Sequence, residues 1–136
     1  MSQQVITQLL EARLSEWAEV KGLKVAFDNI AFSPSDGIYL ESHVMPATTT
    51  AIDLSRQAKV FRGVYQINVI SPAGTGKSAG GLIAEQLIQL FPENQEISDG
   101  VLTCYINSVP SAFAGISSDT SYTIPVSMSY WAQNYD

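Results

Sequence analysis

The stretch Phe61–Ser78, FRGVYQINVISPAGTGKS, joins a predicted strand to a glycine-rich turn. Its first residues alternate between two faces: Phe61, Gly63, Tyr65, Ile67 and Val69 share one, and Arg62, Val64, Gln66 and Asn68 share the other. A period of two is typical of a half-exposed antiparallel strand. The sequence therefore predicts a strand over Lys59 to Ile70, with a turn directly after it.

The turn SPAGTGKS is one glycine short of the phosphate-binding pattern G-x-x-x-x-G-K-[ST], because Ser71 stands at the first glycine position. Such a loop aims backbone N–H groups and a lysine at phosphates. The strand that enters it is normally parallel and buried on both faces, which this amphipathic strand is not. No second apolar strand ends in an aspartate that could hold magnesium. We therefore predict a structural turn built on Pro72, Gly74 and Gly76, and keep a nucleotide-binding module as a remote alternative.

The remaining elements follow from periodicity. An amphipathic N-terminal helix is predicted from the stripe Ile6, Leu9, Leu10, Leu14, Trp17 and Val20, and Gly22 follows its last turn. Further strands are predicted over residues 23–28, 38–45, 101–106 and 122–131, and a second helix from about 77 to 90. Pro125 predicts an edge or a bulge in the last strand. The order α-β-β-β-α-β-β predicts an α+β fold, with two helices on one face of a mainly antiparallel sheet of about five strands.

Length and composition exclude several classes of protein. The 136 residues are 46% hydrophobic and 15% charged, which predicts one globular domain over residues 1–136. The net charge of −6 argues against a general nucleic-acid binder. We expect no membrane span and no secretory leader, since no apolar run is long enough and the first residues lack a basic segment. The single Cys104 is expected to pack in the core.

Catalytic chemistry has little support in the sequence. His43 is the only histidine, and no cluster of potential metal ligands surrounds it. No G-x-S-x-G motif is present, although a catalytic triad can be assembled from residues far apart in sequence. We predict no catalytic residue, no metal and no cofactor, and therefore not an enzyme.

Charge is distributed unevenly along the chain. Between Pro46 and Gly80, four bases (Arg56, Lys59, Arg62 and Lys77) accompany a single acid, Asp53. From Gly81 to Asp136 there are six acids and no base. Opposite patches of this kind favour a head-to-tail contact between copies, although uneven surface charge is also common without any such contact.

Several stretches together resemble the small bacteriophage tail terminator proteins, the group similar to minor tail protein U of siphophages. The matching stretches are FDNIAFSPSDGIYLESHVMPATT, FRGVYQINVISPAGTG before a helix ending in LFP, and the closing strand YTIPVSMSYW. The resemblance extends from Val5 to Trp131. Its specificity comes from the order and spacing of these pieces, since none of them is a catalytic signature.

The resemblance implies a structural protein of the virion tail, assembled in the host cytoplasm. It implies a ring of six subunits that caps the head-proximal end of the tail tube, ends tube polymerisation and offers a surface for joining the capsid. Its partners would be other copies of itself, the tail tube protein and the head–tail connector protein. A head–tail joining or tail-completion protein that binds the connector remains an alternative.

The threonine-rich segment from Pro46 to Ala58 is the predicted contact region. It looks like a long loop or the tip of an extended hairpin, and a segment of this length without its own structure is often functional. The candidate subunit or tube interface comprises Thr48, Thr49, Thr50, Asp53, Arg56, Lys59 and Arg62. Ordinary surface solubility is the other explanation for these polar residues.

Overall fold

A computed structural model describes residues 3–27, 37–47, 50–51, 58–74, 78–98, 103–117 and 121–135. The helices are α1 (Gln3–Lys21) and α2 (Ser78–Leu90). The strands are β1 (Lys24–Phe27), β2 (Tyr39–Pro46), β3 (Thr50–Ala51), β4 (Ala58–Pro72), β5 (Glu96–Ser98), β6 (Thr103–Ile106), β7 (Ser111–Ala112), β8 (Ile116–Ser117) and β9 (Ser121–Tyr135). The α+β prediction is confirmed.

One sheet contains all the strands of the described ranges, in the order β1-β2-β4-β9-β6-β5. Its centre is the antiparallel pair β4 and β9, in register from Ala58↔Tyr135 to Pro72↔Ser121. On the side of β4 away from β9, β4 pairs first with β2 and then, nearer its own start, with β3. The second edge of β9 is covered in succession by β6, β7 and β8.

The predicted strand count of about five was too low, because the described ranges contain nine strands. The four that the prediction missed (β3, β5, β7 and β8) have two or three residues each, which is too short to show a period. The sheet is also mixed, since β1 pairs with β2 in parallel while the other pairings are antiparallel. A parallel pair needs a crossover of about a dozen residues, and residues 28–38 provide one of nearly that length.

Both helices pack on the same face of the sheet. Helix α1 is joined to that face where the Ser42 hydroxyl donates to the Glu11 carboxylate (3.0 Å). Helix α2 lies against it at Gly80, where a Cβ would come 3.8 Å from Val69 Cγ1. In the strand register, Ser42 pairs with Ile67, which is two residues before Val69, so the two contact points share a face. The prediction of helices on one face agrees with this packing.

The buried line of α1 is narrower than the predicted stripe. Its fully buried residues are Ile6, Leu10, Leu14 and Ala18, spaced four apart. Val20, which the stripe included, is 85% exposed. At 100° per residue it lies roughly 200° around the helix from Ala18, and therefore points away from the sheet. Gly22, at φ 72°, ends the helix as predicted.

Strand β9 is central, so the sheet-edge alternative for Pro125 was wrong. The bulge alternative fits the pairing on one side of β9, since three residues lie between Ala112 and Ile116 but only two between their partners Val126 and Thr123. The Pro125 carbonyl accepts a hydrogen bond from the Phe113 N–H (2.9 Å). In an antiparallel strand the nitrogen of a residue faces the same neighbour as its carbonyl. The proline nitrogen therefore faces the segment between β7 and β8. Residues 113–115 of that segment are not paired in the β-ladder with β9, so the missing N–H of Pro125 leaves no ladder hydrogen bond unmade.

Candidate assembly surface

The sheet face opposite the helices is lined mostly by half-buried and exposed side chains among the described residues, with Val60 and Ile70 buried. We call it the open face. It is formed by Tyr39, Glu41, His43, Arg62, Val64, Gln66, Asn68, Glu96, Tyr105, Thr123, Pro125, Ser127, Ser129 and Trp131. These residues are half-buried or exposed, whereas their strand neighbours on the helix-covered face are mostly buried. A half-exposed sheet of this size is suited to contact with another protein.

Four open-face residues form one row across four neighbouring strands, which we call the charged row. Glu96 pairs with Tyr105, Tyr105 pairs with Trp131, and Trp131 pairs with Arg62. The Tyr105 and Trp131 rings are stacked, with centroids 4.9 Å apart and planes at 21°. An acid and a base thus stand at opposite ends of an aromatic pair. Three strand spacings separate the backbones of the end residues by roughly 14 Å.

A cleft lies at the basic end of the charged row. Its volume is about 340 Å³, and it is lined by Val60, Arg62, Asn107 and Trp131. Arg62 is exposed and Trp131 is half-buried, so both are accessible from the cleft. Tryptophan and arginine are enriched among the residues that dominate binding energy in protein interfaces. The cleft is therefore a candidate docking feature of the open face.

Polar side chains connect β2 and β4 further along the open face. The Gln66 amide donates to Asn68 Oδ1 (2.9 Å), and the Asn68 amide donates to Glu41 Oε1 (3.2 Å). His43 Nε2 lies 3.7 Å from the same Glu41 oxygen. Burial, followed by the charge of Glu41, raises the pKa of Tyr39. These contacts hold the polar side chains in fixed positions on the sheet.

Exposed apolar side chains gather in the segment 107–117 beside β9. Val109 is 63% exposed, Phe113 57% and Ile116 63%. Large apolar residues that are close in sequence and share this exposure are more informative than scattered single ones. This segment is a second surface with the character of a contact region.

The structure places part of the predicted interface. Thr50 in β3 pairs with Val60. Lys59 pairs with Ala51 and Asn134 at the start of β4, so this end of the segment is an extended hairpin. Arg62 is the predicted residue that lies on the open face. Thr48, Thr49, Asp53 and Arg56 lie outside the described residues, and their role stays a prediction.

The glycine-rich turn is placed as a connection between β4 and α2. Pro72 ends β4, and Gly74 has φ 84°, a value that favours glycine. Gly76 and Lys77 lie outside the described residues. Ser71 is 1% exposed beneath the first turn of α2, where a Cβ on Gly80 would come 2.9 Å from its Oγ. The side chain at the missing glycine position thus packs under the helix.

The strand before this turn also differs from that of a nucleotide site. Strand β4 is antiparallel to both β2 and β9, whereas the strand entering a phosphate-binding loop is parallel to its neighbours. Among the described residues, no group of three or more potential ligands could hold a metal ion. Cys104 is fully buried, and burial raises the pKa of its thiol to about 12, which makes it a poor nucleophile. Neither helix of the described ranges is long and apolar enough to cross a membrane.

The sequence features that carry the assembly surface were only partly predictable. Charge counting identified Arg62. Trp131, by contrast, was not singled out, and it lies half-buried on the open face. The available signal was its position in β9, where it shares the alternating parity of Ser127 and Ser129.

A helix-backed sheet with a half-exposed polar and aromatic face is suited to contacts with other proteins. Comparison with known proteins gives the family. The model of the phage tail terminator protein family matches residues 5–130, and the chain belongs to that family. It is a structural, non-enzymatic family, so the chain is a structural component of the virion tail.

A solved structure supports the same fold. It has a TM-score of 0.85 and 36% sequence identity, and the alignment covers 100% of this chain and 99% of that one. No curated protein sequence matches this chain significantly. The resemblance predicted from FDNIAFSPSDGIYLESHVMPATT, FRGVYQINVISPAGTG and YTIPVSMSYW is confirmed at the level of the family.

Proposed function

We propose that the protein caps the head-proximal end of the tail tube as a ring of its own copies. In this role it ends tube polymerisation and provides the surface to which the capsid is joined. The observation that carries the proposal is the family match over residues 5–130. Assembly would take place in the host cytoplasm, with the tail tube protein and the head–tail connector protein as partners, and the ring would contain six subunits.

The surface chemistry supports this proposal. A ring needs a heterologous contact, in which one patch of a subunit meets a different patch of the next. The open face offers a cleft lined by Trp131 and the exposed Arg62. After Gly80, the charged residues of the chain are all acidic. The apolar segment around Phe113 is a separate surface and could contact the tube while subunits contact each other elsewhere.

The experiment adds the purified protein to the tube protein of the same phage during polymerisation. Tube lengths are measured by electron microscopy, and particle mass is measured by light scattering with and without tubes. We expect tubes to shorten as the ratio of terminator to tube protein rises, with added density at one end only. Unchanged tube lengths at every ratio would refute the capping role. Binding to the connector without binding to the tube would favour the head–tail joining function instead.

A further inference from the structure

We propose that the cleft at Arg62 binds the acidic edge of a second copy of this chain, formed by Glu93 and Glu96 before and in β5. The inference rests on the proposed ring for its head-to-tail direction. Each subunit would present Arg62 to one neighbour and the β5 edge to the other. The contact would thus repeat around a closed assembly.

Charge complementarity is the first support. Glu93 and Glu96 are both exposed, and Glu96 belongs to β5, the outermost strand of the sheet on that side. No base occurs between Gly81 and Asp136. Within the described part of the chain, neither Glu96 nor Arg62 makes an ion pair. A neighbouring copy can supply the opposite charge to each of them.

The geometry of the charged row prevents the same pairing inside one molecule. Two strands, β9 and β6, lie between Arg62 on β4 and Glu96 on β5. The stacked rings of Trp131 and Tyr105, one from each of these strands, stand between the two charges. The guanidinium therefore stays available beside the cleft. A carboxylate that entered the cleft would meet Arg62 next to an apolar wall formed by Val60 and Trp131, where partial exclusion of water strengthens a charged hydrogen bond.

The edge strand supplies a second element of recognition. In the described ranges no strand pairs with the outer edge of β5, although the Glu96 carbonyl accepts a hydrogen bond from the Gln95 side-chain amide (3.0 Å). An exposed edge strand is available for contact with another chain, and charged residues on it select the partner. Glu96 would thus fix which surface the edge meets, in addition to its attraction to Arg62.

The test exchanges the charges between copies. Arg62→Glu alone puts Glu against Glu at every contact, and Glu96→Arg alone puts Arg against Arg. Each single variant is expected to weaken self-association roughly tenfold or more. An equimolar mixture of the two is expected to restore it, because every contact between unlike copies again joins an acid and a base. Arg62→Gln serves as a milder variant, and the mixture itself shows that both charge-reversed chains are folded.

Self-association is measured by light scattering over a wide concentration range and by tryptophan fluorescence. In a Trp17→Phe background, Trp131 becomes the only tryptophan, and its emission is expected to shift to shorter wavelength as the cleft is covered. Matched controls are Lys24→Glu, an exposed base on β1 at the far edge, and Glu85→Arg, an exposed acid on α2. Both controls are expected to assemble as the unmodified chain does.

The outcomes separate this inference from the proposed function. If the unmodified chain shortens tubes and forms rings but Arg62→Glu does the same, the cleft is not the contact and capping stands. If Arg62→Glu self-associates normally but no longer binds tubes, the cleft meets the tube protein, and the inference is wrong. A closed particle of two copies would also overturn the head-to-tail arrangement. If the unmodified chain neither self-associates nor alters tubes, both proposals fail.

Discussion

Gly80 and Gly81, neighbours in the first turn of α2, allow a prediction with an internal control. A Cβ on Gly80 would lie 2.9 Å from Ser71 Oγ and 3.3 Å from Ile124 Cδ1, whereas a Cβ on Gly81 would meet nothing within 4 Å. Replacing a helical glycine by alanine gains up to about 1 kcal/mol of stability. Crowding in a packed core costs about 1–3 kcal/mol. Gly81→Ala is therefore expected to stabilise the fold, and Gly80→Ala to destabilise it by about 1 kcal/mol.

The assay is urea unfolding followed by circular dichroism, at protein concentrations low enough to avoid assembly. Both substitutions gain the same helix propensity from replacing glycine by alanine. The difference in unfolding free energy between the variants therefore isolates the cost of crowding at residue 80. We expect that difference to be about 2 kcal/mol. Equal unfolding free energies for the two variants would refute the close approach of α2 to the sheet.

Ser71→Ala provides the second half of this experiment. It removes the Oγ that a Cβ on residue 80 would meet first, and leaves the flexible end of Ile124 as the next neighbour. Ser71 Oγ is also buried without a hydrogen-bond partner among the described residues, so its removal costs little. The double variant is expected to recover at least about 1 kcal/mol of the loss caused by Gly80→Ala. Additive effects of the two substitutions would contradict the contact.

Three further predictions concern the core and its pH dependence. Arg13→Met is expected to cost about 1–2 kcal/mol, because Arg13 Nε donates to the Leu90 carbonyl at the end of α2 (2.9 Å), and urea unfolding measures the loss. Ser42→Ala is expected to cost about 1–3 kcal/mol in the same assay, because it removes a buried hydroxyl that donates to Glu11. The Cys104 thiol is expected to resist alkylation at pH 8 until the protein unfolds. Since folding raises the pKa of this thiol from 9.0 to about 12, the folded state keeps a proton that the unfolded state loses, and stability is expected to fall as the pH rises above about 9.

Each of these predictions has a contrary result. Arg13→Met with unchanged stability would show that the hydrogen bond to α2 is replaced by water at no cost. A loss below about 0.5 kcal/mol for Ser42→Ala would place it among ordinary surface changes. Alkylation of Cys104 in the folded protein as fast as in urea would contradict its burial.

Periodicity predicted the long elements of the fold. Strand β4 has 15 residues, enough for the alternation of Tyr65, Ile67 and Val69 with polar neighbours to be visible. The two-residue strands β7 and β8 have no such pattern, because they exist only through pairing with β9. The parallel pairing of β1 with β2 was equally hidden, since it depends on how the chain crosses over and not on side-chain order.

The assembly surface was harder to predict than the fold. The charge count named Arg62 together with the other bases of its segment, but its neighbours Trp131 and Tyr105 come from strands far along the chain. Their alignment into one row depends on the register of three separate strand pairings, and each register is set by tertiary packing. The local sequence shows which face of its strand each residue occupies, but it does not show which residue of the neighbouring strand it pairs with.

The placement of β9 has a consequence for how the chain is made. Strand β9 follows β4, β6, β7 and β8 in sequence and pairs with all of them. Until residues 121–135 have emerged from the ribosome, β4 presents a long unpaired edge and the three shorter strands lack their main partner. Contacts between segments so distant in sequence also form slowly, and unpaired edges are prone to aggregation in the meantime. Synthesis of β9 is therefore the step that allows the nascent chain to complete its fold. Until then, the unpaired strands before β9 need protection from aggregation.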